Sequence, residues 1–275
     1  MSEAGADLPI VPADDPRLLG LRRALAVMDR LRDEGGCPWD RAQSSASLRP
    51  FLMEESFELL EALDRHAAGE PDTQVKEESG DLLFQLLFHA RLAQEAGRWT
   101  LGDAADGLAR KLVRRHPHVF APRAEDAGKT PEQVLKEWDG HKKKEGRRSA
   151  LDGVPRALPA LLRAQRVQEK AARAGFDWPD TAGPLDKLFE ELEEVRERLA
   201  AGDKAGVTAE LGDLAFSVVN LARKLDAPAE DALRETTAKF ERRFRRMEEL
   251  ARGSFSTLDL EAMERLWVQA KAEGV

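Results

Sequence analysis

The chain contains an internal repeat, and this repeat limits the folds that its 275 residues can adopt. The segments EESFE at 54–58 and EELEE at 190–194 share the pattern E-E-x-x-E. Three further pairs of similar segments occur in the same order at nearly the same intervals. They are GCPWD at 36–40 with GFDWP at 175–179, ESGDLLF at 78–84 with ELGDLAF at 210–216, and KLVRRH at 111–116 with KFERRF at 239–244. Each match alone is weak, but four in one order predict two copies of one domain.

The repeat and the composition between its copies suggest the domain limits. We predict a loose N-terminal tail at 1–16, a first copy at 17–121, a linker at 122–159 and a second copy at 160–275. The linker is rich in charge, proline and glycine, and Thr130 with Gln133 predicts a capping box for one short helix through Trp138. Its basic run HKKKEGRR is interpreted as solvated linker rather than as a nucleic-acid contact.

Composition narrows the class of protein. The 43 basic and 51 acidic residues give a net charge of −8, which argues against a general attraction to nucleic acid or to anionic lipid. No run of about eighteen apolar residues occurs, so we expect no membrane span. Cys37 is the only cysteine, which excludes an internal disulfide and favours a reducing compartment, the cytoplasm. Helix formers dominate and no alternating β-branched run is found, so the fold should be all-α.

The first E-E-x-x-E segment belongs to the amphipathic stretch FLMEESFELLEA, whose glutamates share one helical face. Acidic faces of this kind are usually only solvated, and we interpret Glu61 in that way. Glu55 and Glu58 are three residues apart, and Glu78 and Asp81 follow with the same spacing. This spacing places each pair on one face of its helix.

The second copy repeats this arrangement with Glu191 and Glu194, followed by Glu210 and Asp213. Asp213 is the only formally charged residue in the segment 211–222, and apolar residues surround it almost all the way round a helix. We therefore predict that this helix is buried. An isolated buried carboxylate is strongly disfavoured unless it is paired, protonated or bound to a metal.

If the two acidic helices of a copy pack antiparallel, four carboxylates converge, and such a cluster needs a cation. Oxygen ligands without histidine or cysteine favour Mg²⁺, or Mn²⁺ as a substitute, over zinc. Mg²⁺ suits substrates that bring their own phosphate oxygens, so the substrate should be a polyphosphate. Lys239 and Arg243 lie four residues apart with Arg242 beside them, which suits a triphosphate tail. A basic surface helix without a ligand is the alternative interpretation.

These motifs, with GCPWDRAQ, KLVRRHPHVFA and ALPALLRAQRVQEKAARAGFDWPD, resemble those of MazG nucleoside triphosphate pyrophosphohydrolases from about residue 20 to the end. The resemblance implies two tandem helical-bundle domains that dimerise through helix packing. It also implies Mg²⁺-dependent hydrolysis of a (d)NTP to the monophosphate and pyrophosphate, by water attack on the α-phosphorus, in nucleotide-pool housecleaning. Carried over by position, the metal ligands are Glu191, Glu194, Glu210 and Asp213 in the second copy, and Glu55, Glu58, Glu78 and Asp81 in the first.

The resemblance further implies that the second copy carries catalysis, with Lys239 and Arg243 offsetting the developing charge, although the first copy keeps every acidic position. Asn220 of the second copy stands where the first has Phe88, and its amide can reach a base or a sugar. Near the end of the chain, residues 267 and 271 offer a stacking ring and a charge to a nucleotide. Equally, Trp267 and Lys271 are consistent with an ordinary packed helix.

Two other interpretations of the function are open. In the first, the duplicated bundles form a non-catalytic dimeric scaffold or nucleotide sensor, which binds metal and nucleotide without releasing pyrophosphate. In the second, the chain is a related pyrophosphohydrolase specific for dUTP, dCTP or phosphoribosyl-ATP, although the tandem arrangement disfavours this interpretation. Base preference does not follow from the sequence.

Overall fold

The computed structural model describes residues 8–121, 128, 130, 133–134, 149–253 and 255–275. In these residues it contains eleven α-helices, one short 3-10 turn and no strand, which confirms the predicted all-α class. None of the helices described combines the length and the apolar character that crossing a membrane requires.

The chain divides into two compact units, with the boundary between His141 and Lys142. This boundary falls within the segment predicted as a linker, although the precise domain limits remain a prediction. The capping box at the start of the predicted linker helix is present, since the Gln133 amide N–H donates to the Thr130 hydroxyl and the Thr130 amide donates to the Gln133 side chain. The rest of that helix, through Trp138, and the basic run lie outside the described residues.

The first unit contains α1 (Pro16–Arg32), α2 (Pro38–Ala42), α3 (Arg49–Ala67), α4 (Thr73–Glu95), α5 (Leu101–Arg115) and α6 (Pro117–Phe120). Local chemistry explains where several of them begin. The Asp15 carboxylate caps α1 by accepting from the Arg17 amide at 2.9 Å, and a proline occupies the first helical position. Thr100 and Asp103 form a reciprocal capping box at the start of α5.

The core of the first unit fixes α4 against α1. It is built from the buried Met28, Leu48, Leu87 and Phe88, and the ring of Phe84 meets that of Phe88 edge to face at 5.6 Å. Burial of a side chain such as Phe88 contributes about 2 kcal/mol. This packing holds the N-terminal half of α4, which carries the second acidic pair, at a fixed place beside α3.

The second unit contains α7 (Ala160–Arg173), α8 (Ala182–Ala200), α9 (Lys204–Lys224), α10 (Ala229–Leu250), a 3-10 turn (Phe255–Thr257) and α11 (Leu260–Ala272). Helices α8 and α9 are joined by three residues, and such a short connection makes neighbouring helices antiparallel. The Asp203 carboxylate caps α9 by accepting from the Gly206 amide at 3.0 Å. On its other side α9 packs on α7, where the Gln168 amide donates to the Phe216 carbonyl at 2.9 Å.

The prediction that α9 is buried around its circumference is wrong for the single chain. Val219 is fully buried, but Leu211 is 50% exposed, Phe216 is 46% exposed, and Asp213 is exposed. The physical reason is that α7 and α8 cover only part of the helix surface, so an apolar strip of α9 meets solvent. Asp81 at the corresponding place in α4 is exposed as well.

Candidate metal centres

The first copy brings three of its predicted ligands together. Glu55 and Glu58 project from α3 and Glu78 projects from α4, and one carboxylate oxygen of each lies within 4.8 Å of the other two. The i, i+3 spacing on α3 directs the first two toward the start of α4, because residues three apart share a helical face. Glu61, one turn further on, is exposed, as predicted for a solvated face.

The electrostatics of this cluster show crowding of negative charge. Burial raises the pKa of Glu55 above its ordinary value, and the carboxylates of Asp81, Glu58 and Glu78 raise it further. A like charge nearby disfavours ionisation, so the cluster holds its carboxylates close at an energetic cost unless a cation is present. Asp81 therefore lies near enough to act on Glu55, although it does not join the compact group of three.

The second copy gathers the corresponding residues. Glu191 and Glu194 project from α8 and Glu210 projects from α9, again with one oxygen of each within 4.8 Å of the others. Glu191 is only 4% exposed, and the Glu210 side chain is 12% exposed. Desolvation raises the pKa of Glu194, the charge of Glu191 adds to it, and a hydrogen bond to Glu210 favours the protonated form.

The donor set of each cluster fits a hard divalent cation. Three carboxylates at this separation offer oxygen ligands only, and a cation would remove the mutual repulsion that raises the pKa values of Glu55 and Glu194. The fourth predicted ligand of each copy, Asp81 or Asp213, is exposed on the same helix as its partner glutamate. Its role as a ligand remains a prediction.

Two basic side chains that the sequence does not assign to the site form ion pairs with the second cluster. The Lys187 ammonium is 2.6 Å from a Glu191 oxygen, and the Arg198 Nε is 3.3 Å from a Glu210 oxygen. The hydrogen bond to Glu191 raises the pKa of Lys187. The i, i+4 spacing of Lys187 and Glu191 is typical of an ion pair on one helix face. The contact between Arg198 and Glu210 crosses the α8–α9 turn, and no local sequence pattern indicates it.

The predicted triphosphate-binding residues lie on α10 near the end of the chain. The Arg243 Nε donates to the carbonyl of Val275 at 2.6 Å, and its guanidinium lies over the Trp267 ring at 5.5 Å from the centroid. Trp267 also contacts Phe240, with 5.4 Å between the ring centroids. Trp267 is thus a packed residue here, while Lys239, Arg242 and Lys271 are exposed. Among the described residues, no ion pair joins these basic side chains to the acidic cluster, so their substrate role remains a prediction.

Asn220 is held within a polar network at the C-terminal end of α9. Its side-chain oxygen accepts from Arg223 at 2.8 Å, and the same guanidinium donates to the Asp177 carboxylate in the loop before α8. Lys224 donates to Asp177 at 3.2 Å and also bonds the Trp178 carbonyl. No local sequence pattern indicates these contacts, because Asp177 and Arg223 are 46 positions apart in the chain. The contact of Asn220 with a base or sugar remains a prediction.

A duplicated all-helical fold with an acidic cluster in each copy defines a class of helical proteins suited to bind divalent cations. Comparison with known families gives the particular assignment. The model of the MazG nucleotide pyrophosphohydrolase domain matches residues 43–120 and 183–247, one segment in each copy. The chain belongs to the MazG family, which confirms the resemblance seen in its motifs, and it is an enzyme of that family.

Curated relatives agree with this assignment. The chain is 44% identical over 263 residues to the nucleoside triphosphate pyrophosphohydrolase of Escherichia coli strain K12, covering 92% of this chain and 97% of that protein. It is 42% identical over 253 residues to the nucleoside triphosphate pyrophosphohydrolase/pyrophosphatase MazG of Thermotoga maritima, covering 90% and 94%. A Mycobacterium tuberculosis protein named nucleoside triphosphate pyrophosphohydrolase is 43% identical over 176 residues, covering 63% of this chain and 51% of that protein.

Proposed function

We propose that this chain hydrolyses (deoxy)nucleoside triphosphates to the monophosphate and pyrophosphate in a Mg²⁺-dependent reaction, by attack of water on the α-phosphorus. The observation that carries the proposal is the compact cluster of Glu191, Glu194 and Glu210 in a chain of the MazG family. The names of its curated relatives support the same reaction class. A role in nucleotide-pool housecleaning is consistent with a substrate of this kind.

The chain's own residues have separable tasks in this proposal. Bound Mg²⁺, for which Mn²⁺ would substitute, supplies neutralisation of the phosphate oxygens and activation of water. Glu191, Glu194, Glu210 and Asp213 would hold it, and the cation would offset the desolvation and the neighbouring negative charge that raise the pKa of Glu194. The basic residues of α10 offset the negative charge that develops on the leaving pyrophosphate.

We favour the second copy as the catalytic one. Its cluster contains a glutamate with only 4% exposure, and charges act more strongly on a bound phosphate in a site that is shielded from water. The equivalent first-copy group contains the exposed Glu58. At the position of Asn220 in the second copy, the first copy has the apolar Phe88.

We also propose that the enzyme is a cytoplasmic homodimer. Phe189 is 60% exposed, Leu211 50% and Phe216 46%, and these apolar side chains belong to α8 and α9, the helices that carry the acidic cluster. Burial of such a strip against a second copy of the chain would stabilise a dimer and desolvate the site. Light scattering at several protein concentrations tests this part of the proposal.

The activity is tested by measuring pyrophosphate release from each common NTP and dNTP with Mg²⁺. The wild type is compared with Glu210→Gln/Asp213→Asn and with Glu78→Gln/Asp81→Asn. A matched control is Glu193→Gln, which removes a carboxylate of α8 that pairs with exposed Arg196 outside the cluster. We expect the second-copy variant to lose activity by at least about a hundredfold, since it removes two of the four residues proposed to hold the cation that stabilises the transition state.

The outcomes separate the alternatives. Loss of activity in the second-copy variant alone assigns catalysis to that copy. Equal losses in both double variants would make the two copies catalytic or mutually dependent. If the wild type binds Mg²⁺ and nucleotide but releases no pyrophosphate from any of them, the protein is a sensor or scaffold and the proposed activity is wrong.

A further inference from the structure

The two acidic clusters have the same glutamates but different cationic surroundings. In the second copy, the Lys187 ammonium lies 2.6 Å from Glu191 and 2.9 Å from Glu190. Arg198 contacts Glu210 at 3.3 Å, so two of the three clustered carboxylates are already paired. Lys187 lies one turn before Glu191 on α8, and Arg198 lies one turn after Glu194. The two basic side chains therefore lie at opposite ends of the acidic cluster.

The turn between α8 and α9 positions the Arg198 side chain. Its guanidinium also lies 3.6 Å from the Asp203 carboxylate, which caps α9. A Cβ at Gly206 would lie 2.2 Å from an Asp203 carboxylate oxygen and 2.7 Å from the Arg198 Cδ. A glycine in the first turn of α9 therefore leaves the room in which the arginine crosses toward Glu210.

The first copy lacks all of these features. Alignment of the two E-E-x-x-E segments places Phe51 where the second copy has Lys187, and Ala62 where it has Arg198. Gln74 stands where the second copy has Gly206, and its neutral amide is 3.5 Å from Glu78. Among the described residues, no ion pair engages any of the three clustered glutamates of the first copy.

We propose that Lys187 and Arg198 compete with the divalent cation for the second cluster and so set its metal affinity below that of the first copy. The inference rests on the proposed function in taking both clusters as divalent-cation sites. A cation that binds the second cluster must displace two pairs formed by the protein itself, whereas the first cluster has none to displace. Any interaction that is present only in the metal-free state lowers apparent affinity, since binding is measured against that state.

As a consequence, the two sites of one chain bind divalent cation at different concentrations. The first copy fills at low concentration, and the second fills only when the concentration is high enough to break the two pairs. Lys187 should matter more than Arg198, because the Lys187–Glu191 pair is less exposed, at 41% and 5%, than the Arg198–Glu210 pair, at 52% and 12%. Pairs of partly exposed side chains are weak, so the two together should change the affinity by about tenfold, with the larger share from Lys187.

The test measures Mn²⁺ binding by the full chain without nucleotide, using the electron paramagnetic resonance signal of free Mn²⁺. Glu55→Gln/Glu78→Gln silences the first site, and Glu191→Gln/Glu210→Gln silences the second. In the first-silenced chain, Lys187→Met/Arg198→Ala should lower the Mn²⁺ Kd about tenfold. Arg196→Ala, which removes an exposed arginine paired with Glu193 on the same helix, is the matched control and should leave the Kd unchanged.

A reciprocal experiment moves one of the cations into the first copy. In the second-silenced chain, Phe51→Lys at this 37% exposed position should raise the Kd of the first site, and circular dichroism checks that the helices persist. The proposal is overturned if the Lys187→Met/Arg198→Ala chain binds Mn²⁺ no more tightly than its parent while the parent itself binds. Absence of Mn²⁺ binding in both silenced chains and in the wild type would overturn the metal sites themselves and with them the proposed function.

Discussion

Asp177 should be a stabilising residue of the second unit, and its replacement by asparagine isolates the effect of one charge. Its carboxylate accepts from both Arg223 and Lys224, which connects the loop before α8 to the end of α9. The side chains of these cations are only 13% and 14% exposed. Asparagine keeps the shape and one oxygen acceptor, so the change removes the charge while it leaves the packing in place.

The structure allows the size of the effect to be bracketed. Exposed ion pairs contribute up to about 1 kcal/mol, whereas breaking a buried pair costs about 3 to 5 kcal/mol. Asp177 is 27% exposed, Arg223 keeps its bond to Asn220, and Lys224 keeps its bond to the Trp178 carbonyl. We therefore expect Asp177→Asn to lower the free energy of unfolding of this unit by about 1 to 2 kcal/mol near pH 7.

The effect should depend on pH with a defined sign. The hydrogen bond from Arg223 lowers the pKa of Asp177, and that from Lys224 adds to it. Because the folded-state pKa lies below the unfolded value, the stabilisation is fully present above the unfolded-state pKa of about 4. It is lost as the pH falls through the folded-state pKa. The difference between wild type and Asp177→Asn should therefore shrink toward zero in strong acid.

Urea unfolding combined with hydrogen exchange of α9 peptides measures this difference, since exchange reports the free energy of the unit that contains them. Glu193→Gln makes the same chemical change at a carboxylate that is 58% exposed and pairs with Arg196, which is 71% exposed. That control should change stability by less than about 0.5 kcal/mol. A loss in Asp177→Asn no larger than in the control, or a loss that is undiminished in acid, would refute the reasoning.

Three further predictions concern the first unit, each measured by urea unfolding. Thr100→Ala removes the capping box with Asp103 and should cost about 1 kcal/mol, whereas Thr100→Ser should restore most of it. Gly36→Ala should cost about 1 to 3 kcal/mol, because its Cβ would overlap the Leu31 carbonyl; an unchanged midpoint would mean that the turn yields freely. In EDTA, Glu55→Gln should raise the free energy of unfolding at pH 7 and raise it less at pH 4. The reason is that the folded state raises the pKa of Glu55, so the ionised carboxylate destabilises the fold only once the pH has risen through that pKa; equal effects at both pH values would contradict this.

Much of the fold and part of the site followed from the sequence because both depend on local spacing. Helix periodicity and the repeat indicated an all-α chain with two copies, and i, i+3 spacing correctly placed Glu55 with Glu58 and Glu191 with Glu194 on common faces. The joining of each pair to the first acid of the next helix also followed, since a short turn makes adjacent helices antiparallel. These inferences need only the geometry of one helix and one turn.

The features that the sequence did not reveal depend on how surfaces are covered. The apolar circumference of α9 led to the expectation of burial, yet Phe216 is 46% exposed in the single chain. An apolar helix surface indicates that it packs against another surface. It does not indicate whether that other surface belongs to the same chain. The contacts of Asp177 with Arg223 likewise depend on where a loop crosses a helix end, which residue spacing does not encode.

The comparison of the two copies shows why the acidic pattern alone does not identify the working site. Both copies keep every predicted ligand, so the pattern predicts two equivalent metal centres. The metal affinity of a carboxylate cluster, however, is a difference between its metal-bound and metal-free states, and the metal-free state includes whatever else pairs with the acids. Lys187 and Arg198 change that state in the second copy, whereas Phe51 and Ala62 leave it unpaired in the first. A tandem enzyme can thus retain identical ligands while its two copies diverge in function through residues one helical turn away.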